Sequence, residues 1–289
     1  MGKNGGAFCR AVAGTAALLM LACLLSNAAA QDSRAGDQGS SAINMQLCND
    51  PKSAAPQIRG CTELIKSQGF NAKVLAIAYN NRGNAYSIQG QYDLAIQDYD
   101  KAINLNPNFA KPLNNRGVTY GKRGEYDRAI QDFDSALIVE PDYLDAFVNR
   151  AEAYKAKGDY EHVLKDLDRA INLQPTSGAL WKERCWTRAI IGESQAALPD
   201  CNEAIRLEPS LATAVDSRGL VYLKSGQWDL AIADFNAALR LDPKLPTALY
   251  GRGYAKQKKG DPTAGKSDIA AAQAIKKDIE VEYSGYGIH

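Results

Sequence analysis

One arginine recurs every 34 residues along most of this 289-residue chain. The stretch NNRG at positions 80–83 returns at 114–117, and its arginine then recurs in four further places. The six occurrences are Arg82, Arg116, Arg150, Arg184, Arg218 and Arg252. Because a catalytic arginine is needed only once, so strict a period indicates a repeated architecture with one supersecondary unit per period.

Other positions of the 34-residue unit are restricted in size or backbone conformation. With Ala76 as position 1, position 8 is small, position 15 is glycine, position 27 is alanine, and position 32 is proline in the first five units. Glycine ends a first helix where a left-handed residue costs least, and proline stops a second helix. Small residues at positions 8 and 27 allow close approach beside aromatic residues at positions 11 and 24. The pattern predicts stacked helix pairs.

These positions resemble the signature of the tetratricopeptide repeat, and the chain is most similar to exported bacterial members of that family. The resemblance implies an all-α, right-handed superhelical solenoid of six tetratricopeptide-like helix–turn–helix repeats with capping helices. The repeats are expected at 76–109, 110–143, 144–177, 178–211, 212–245 and 246–277. An N-terminal helical cap is expected over 42–75, and a C-terminal cap or tail over 278–289.

The segment 1–30 has the pattern of a cleaved signal peptide. Lys3 and Arg10 precede an uncharged run over 11–25, and three alanines stand before Gln31. The run is shorter than the roughly 18 residues of a spanning helix, so we expect no membrane insertion after leader removal. The mature chain is expected in a periplasm or outside the cell, with a flexible polar tail over 31–41. Lipidation at Cys23 is the alternative.

Four cysteines remain after the leader, and their spacing favours two local pairs. An even number of cysteines in an exported chain indicates disulfides. Cys48 is near Cys61 in the sequence, and Cys185 is near Cys201. The spacing therefore predicts one bond between Cys48 and Cys61 and another between Cys185 and Cys201.

Composition gives no sign of an enzyme, a cofactor, a metal site or a nucleic-acid surface. Without Lys3 and Arg10, the 34 basic residues become 32 against 33 acidic ones, a net charge of −1 with no basic footprint for nucleic acid. The sequence has only two histidines and no metal-ligand spacing, phosphate loop or nucleophile motif.

Position 23 is aspartate in all six repeats, which matches the arginine at position 7. These residues are Asp98, Asp132, Asp166, Asp200, Asp234 and Asp268. We expect a ladder of partly buried ion pairs, in which loss of one partner is costly. An arginine can pair with the aspartate of its own repeat, as Arg116 with Asp132, or with that of the preceding repeat, as Arg116 with Asp98. The sequence leaves both arrangements open.

In the resembled family, first-helix positions 2, 5, 6, 9, 12 and 13 line a concave groove. The resemblance therefore implies a ligand groove lined by Asn80, Asn81, Asn84, Asn114, Asn115, Asn149, Lys182, Trp186, Tyr250 and Tyr254. Asparagine carries both a donor and an acceptor for the backbone of an extended peptide, and aromatic residues anchor apolar side chains. The alternatives are a solvated face for the asparagines and partial core packing for the aromatics.

The function that follows is a non-catalytic protein–protein interaction scaffold, which binds an extended peptide or protein segment in its concave groove. The carboxylate clamp used by some members of the family is not expected, because its basic residues are missing here. The alternative function is a structural or assembly factor in the cell envelope, which uses the convex face or the ends of the solenoid.

Overall fold

The computed structural model describes residues 41–67 and 69–289. These residues form fifteen helices and no strand, so the predicted all-α class is confirmed. The expected leader, lipidation at Cys23 and all but the last residue of the expected tail lie outside the described residues. Ser41, which the sequence placed in the tail, is already helical.

The chain divides into two compact units, Met1–Pro107 and Asn108–His289. In its described part, unit 1 contains α1 (41–49), α2 (Ala54–Lys66), α3 (Ala72–Ile88) and α4 (Tyr92–Leu105). Asn71 caps α3, since its side chain accepts a hydrogen bond from the amide of Val74 at 3.0 Å.

Unit 2 contains five helical hairpins and a short terminal helix. The first helices of the hairpins are α5 (Ala110–Lys122), α7 (Leu144–Ala156), α9 (Gly178–Ile190), α11 (Ala212–Lys224) and α13 (Pro246–Lys258). The second helices are α6 (Tyr126–Val139), α8 (Tyr160–Leu173), α10 (Ser194–Leu207), α12 (Trp228–Leu241) and α14 (Pro262–Ile275). The chain then forms α15 (Ile279–Gly285) within the expected C-terminal cap.

The glycine at position 15 makes the turn between the two helices of every repeat. Its φ lies between 70° and 93° in all six cases, a region that favours glycine because it has no Cβ. These residues are Gly90, Gly124, Gly158, Gly192, Gly226 and Gly260. The loop is therefore set by local backbone chemistry, which explains why it could be predicted from the sequence.

The glycine at position 8 packs against the aromatic residue at position 24 in the first, second and fifth hairpins. A Cβ built on Gly219 would lie 2.7 Å from Cε1 of Phe235. The same distance separates such an atom on Gly117 from the ring of Phe133. The alanines at position 27 have no exposed surface. The hairpins with glycine at position 8 are therefore close-packed, with no space there for an added methyl group.

Two disulfides join helices within the units. Cys48 and Cys61 connect α1 with α2 in unit 1, with Cα atoms 4.5 Å apart. Cys185 and Cys201 connect α9 with α10 in unit 2, with Cα atoms 5.2 Å apart. The second bond occupies positions 8 and 24, where three of the other repeats place a glycine against an aromatic ring. Disulfides are typical of proteins in oxidising compartments.

Each periodic arginine binds the aspartate of its own repeat through two parallel hydrogen bonds. The Nε and Nη2 atoms donate to the two carboxylate oxygens at 2.6–2.9 Å. The pairs are Arg82–Asp98, Arg116–Asp132, Arg150–Asp166, Arg184–Asp200, Arg218–Asp234 and Arg252–Asp268. Both partners therefore belong to the same repeat, which selects one of the two arrangements that the sequence left open.

The third nitrogen of several arginines reaches back to the preceding repeat. Nη1 of Arg150 donates to Asp134, and Nη1 of Arg184 donates to Asp168 at 2.7 Å. The corresponding acceptors for Arg218 and Arg252 are the asparagines at positions 202 and 236, both at 2.8 Å. These acceptors occupy position 25, which the sequence analysis did not single out. Each of these four arginines thus joins the two helices of its own hairpin and also contacts the preceding hairpin, which accounts for the strict period of the arginine.

Candidate ligand groove

The first helices of unit 2 line two cavities. The smaller has a volume of about 340 Å³ and lies along α5 and α7, with Val118, Lys122, Asn149 and Glu152 among its lining residues. The larger has a volume of about 430 Å³. Its first-helix residues are Lys155, Lys182, Glu183, Trp186, Ile190, Thr213, Asp216, Ser217 and Thr247. All nine occupy repeat positions 2, 5, 6, 9, 12 or 13, the positions expected to line a groove.

The asparagines of unit 1 are bound within the unit. Asn81 donates to the backbone oxygen of Cys48 at 3.2 Å and to the side chain of Asn49 at 3.0 Å. Asn84 accepts a hydrogen bond from the Tyr99 hydroxyl at 2.8 Å. Asn80 is buried and donates to Asn81. Asn81 and Asn84 therefore hold α3 to its neighbours, whereas Asn80 is bonded within α3, and a role of the three side chains in a groove stays a prediction.

The asparagines of unit 2 differ in exposure. Asn114 is buried, and its Oδ1 accepts a hydrogen bond from Asn149 Nδ2 at 2.9 Å. Its own Nδ2 lies 3.5 Å from the Oδ1 of Asn115. Asn115 and Asn149 are half-buried, and Asn149 lines the smaller cavity. Close packing of α5 and α7 thus satisfies Asn114 internally and removes it from the residues that a ligand can reach.

The C-terminal segment, defined here as α15 with residues 286–289, covers part of the expected groove. Tyr250 is buried, with its ring centroid 4.5 Å from that of Tyr283. The Tyr254 hydroxyl donates to the backbone oxygen of His289 at 2.8 Å. The indole of Trp186 lies edge-on to Tyr286 at 5.4 Å. The chain's own terminus therefore covers Tyr250 and contacts the half-buried Tyr254, and a role of these two side chains in ligand binding stays a prediction.

Two of the three carboxylates that line the larger cavity already have partners. Glu183 pairs with Lys182 through one oxygen and with Lys155 through the other, at 3.6 Å. Burial would raise the pKa of Glu183, but these two lysines lower it below its ordinary value. Glu282 accepts from Lys276 and from the Tyr286 hydroxyl, each at 2.6 Å.

Asp216 is the third carboxylate, and it is 3% exposed. Its Oδ2 accepts a hydrogen bond from the Thr247 hydroxyl at 2.6 Å, whereas its Oδ1 has no partner in the part of the chain that the structure describes. Burial is the main reason that the pKa of Asp216 is raised to about 7; Glu282 also raises it, while Thr247 and Lys182 lower it. Sequence reasoning missed this residue, although an acid at position 5 of a first helix was a signal.

The described residues show neither a metal cluster nor a membrane-spanning helix. Over 41–67 and 69–289, no three His, Cys, Asp or Glu side chains are grouped to hold a metal ion. Within the same ranges, no helix combines the length and apolar character needed to cross a bilayer. His162 lies at the surface, where its Nδ1 is 2.8 Å from Asp159 and its ring stacks on Tyr154.

Three family models of this repeat type match the chain. One model described as "Tetratricopeptide repeat" matches residues 76–109 and 110–143. Another model with the same description matches residues 144–177. A third, described as "TPR repeat", matches residues 219–260. The first three matched segments begin and end where the arginine period places repeat boundaries. The chain is a tetratricopeptide-repeat (TPR) protein.

Solved structures of several other proteins have a similar fold. A TPR protein from Parabacteroides merdae is 18% identical, with 86% of this chain and 98% of that chain covered and a TM-score of 0.65. A chain of the APC/C hetero-tetramer Cut9–Hcn1 is 15% identical. That match covers 86% of this chain and 51% of the other, with a TM-score of 0.61. YrrB, a TPR protein with an unusual peptide-binding site, is 22% identical to this chain. That match covers 64% of this chain and 96% of YrrB, with a TM-score of 0.50. No curated protein matches this chain.

Proposed function

We propose that this TPR protein is a non-catalytic scaffold that binds an extended peptide or protein segment along the first helices of unit 2. The observation that carries the proposal is the register of the larger cavity, whose nine first-helix lining residues all occupy the positions expected to line a groove. YrrB, which has a similar fold, is a TPR protein with a peptide-binding site. That likeness supports the same class of ligand for this chain.

The dimensions and chemistry of the first helices suit an extended segment. Packed helices lie about 10 Å apart and an extended chain rises about 3.3 Å per residue, so about three residues of ligand pass each helix. Asn149 and Asn115 offer amide groups for backbone hydrogen bonds. Trp186 offers an aromatic surface for an apolar side chain. Recognition of this kind depends weakly on ligand sequence, with selectivity near Trp186.

We also propose that the protein acts in a periplasm or outside the cell. The two disulfides of the described residues support an oxidising compartment. The charge pattern of residues 1–30 supports export through a cleaved leader. The partner is then another exported protein rather than a nucleic acid, because the mature chain has no basic excess.

A displayed pool of random peptides of about ten residues, long enough to pass about three first helices, tests the binding function. Enriched peptides are labelled and titrated by fluorescence anisotropy against the wild type and against a variant with Asn149→Ala and Trp186→Ala. We expect the double variant to bind at least about tenfold more weakly, as for an interface anchor. The matched control is Ile138→Ala, which removes an apolar side chain that is 82% exposed on α6. Equal affinity of the double variant and the wild type would refute the proposal.

The second candidate function is a structural or assembly factor that uses the second helices. Apolar side chains exposed there favour it, among them Ile138, Leu230 at 47% and Ile275 at 49%. Each of these side chains offers apolar surface to a partner, and contiguous apolar surface often marks protein contacts. In the same titrations, this function predicts loss of affinity in Ile138→Asp and none in the variant at Asn149 and Trp186.

A further inference from the structure

The larger cavity, which we call the Asp216 cavity, is lined by Asp216, whose carboxylate has one buried oxygen with no hydrogen-bond partner among the described residues. This atom is Oδ1 of Asp216, on the first helix of the fifth repeat. Its companion oxygen is held by Thr247 at 2.6 Å, so the carboxylate is fixed in orientation. Leaving a buried acceptor unpaired is unfavourable, particularly when it belongs to a charged group. A ligand group that donates to Oδ1 removes that cost.

The remaining charges around the cavity are already compensated. Lys182 pairs with Glu183, and Lys155 pairs with Glu152 at 2.7 Å as well as with Glu183. Glu282 holds Lys276 and the Tyr286 hydroxyl with separate oxygens. Asp216 is therefore the one carboxylate of this lining with an open acceptor, and none of the lining lysines lacks a carboxylate.

We propose that the Asp216 cavity binds a primary ammonium group, supplied by a lysine side chain of the bound segment. The identity of the carrier rests on the proposed function, whereas the ammonium site itself does not. In the complex, the ammonium donates one hydrogen bond to Asp216 Oδ1. Its aliphatic stem packs on Trp186, Ile190 and Leu245, which line the same cavity.

The number of open oxygens selects ammonium over guanidinium. An arginine side chain reaches its best geometry when it donates two parallel bonds to both oxygens of a carboxylate. Each periodic arginine of this chain binds in that way. At Asp216, Thr247 already occupies Oδ2, so one acceptor remains for the ligand. A compact ammonium is satisfied by a single strong contact and gains further attraction from the rings of Trp186 and Tyr286.

The protonation of Asp216 supplies an independent signature of the site. Burial raises the pKa of Asp216 to about 7, so near neutral pH about half of the molecules carry the proton. A bound ammonium favours the ionised carboxylate and therefore displaces that proton. The titratable groups of the surrounding elements are Lys155 on α7, Tyr160 on α8, Lys182 and Glu183 on α9, and Glu282, Tyr283 and Tyr286 on α15 and just after it. Binding should thus release about half a proton at pH 7 and strengthen as the pH rises to 8.

The test uses n-butylammonium, whose stem and charge resemble those of a lysine side chain, and the neutral alcohol 1-butanol, which has the same four-carbon stem, as its matched probe. Each is titrated into the full chain at pH 8 and followed by NMR and by tryptophan fluorescence. We expect saturable binding of n-butylammonium, and a loss of at least about tenfold in Asp216→Asn, as for a charge-assisted hydrogen bond. Asp142→Asn is the control carboxylate and should retain affinity within about threefold, because its side chain is 74% exposed and does not line the cavity. Calorimetry of the wild type at pH 7 in buffers of different ionisation enthalpy should show the proton release.

A second variant keeps the test decisive if Asp216→Asn is poorly folded. Thr247→Val preserves the side-chain shape and frees Oδ2, so it should raise the affinity for n-propylguanidinium relative to n-butylammonium. No change in that ratio would contradict the geometric argument. Equal binding of n-butylammonium to Asp216→Asn and wild type, or no binding to either, would overturn the ammonium site.

Peptides separate this inference from the proposed function. In the enriched peptides, replacement of one lysine by norleucine should weaken binding to the wild type about tenfold and leave binding to Asp216→Asn unchanged. Peptides that bind at the groove without any such lysine would refute the lysine assignment and leave the proposed function intact. Binding of n-butylammonium without any peptide binder would refute the proposed function and the lysine carrier, and leave the ammonium site intact.

Discussion

Replacement of Asp216 by asparagine should stabilise the protein more at pH 8 than at pH 5. The folded chain holds the Asp216 proton up to a pKa of about 7, whereas the ordinary value is 3.8. Between these values the folded state binds more protons than the unfolded state. The stability contributed by the protonated group is therefore complete below pH 3.8 and is lost as the pH rises through 7. Asparagine is neutral at every pH and keeps an acceptor for Thr247.

The size of the effect follows from these two pKa values. Integrating the linkage relation from pH 5 to pH 8 gives about 3 kcal/mol for this one group. The free energy of unfolding of Asp216→Asn, relative to the wild type, should increase by that amount over the interval. Urea unfolding at both pH values, monitored by circular dichroism, measures it. The control is Asp142→Asn, whose side chain is 74% exposed, and for which we expect a difference that is small at both pH values. A difference between Asp216→Asn and wild type that does not change with pH would refute the reasoning.

Three further predictions concern the repeat architecture. Arg150→Ala should destabilise by about 2–4 kcal/mol because it leaves a buried carboxylate without its partner; thermal melts without any loss would show that the ion-pair ladder is solvated. Gly219→Ala should cost about 1–3 kcal/mol by overpacking, and adding Phe235→Leu should cost less than the sum of the single changes, as a double-mutant cycle in urea would measure. Breaking the bond between Cys185 and Cys201 should cost about 3 kcal/mol in the chain-entropy model, whereas free thiols in non-reducing peptide maps would contradict the pairing itself.

The features that could be predicted from the sequence are those that recur in every repeat. Gly124 has a positive φ because the turn requires one, and Gly117 faces Phe133 because two helix backbones approach there. Each of these constraints acts within one hairpin, so it recurs in the sequence with the period of the repeat and can be recognised there. The arginine period was equally visible, although only the structure selects the aspartate of the same repeat.

The candidate groove was less predictable, because its residues depend on contacts that do not recur. Asn114 occupies an expected groove position, yet it is buried and accepts a hydrogen bond from Asn149 of the next repeat. Tyr250 is covered by Tyr283, which lies after the last repeat and has no counterpart in the others. Asp216 has neither an amide nor an aromatic ring, the two kinds of side chain on which the expected groove rested. Its open oxygen is apparent only when each carboxylate is matched with its partners.

The site of segment binding is tested most directly by photo-crosslinking from defined positions. A p-benzoylphenylalanine is placed either at Val118, which lines the smaller cavity on α5, or at Ile138, which is exposed on α6. Each protein is irradiated with the enriched peptides, and the crosslinks are located by mass spectrometry. Binding along the first helices predicts crosslinks from position 118 that disappear when unlabelled peptide is added in excess, and none from position 138. Crosslinks from position 138 alone would contradict binding along the first helices.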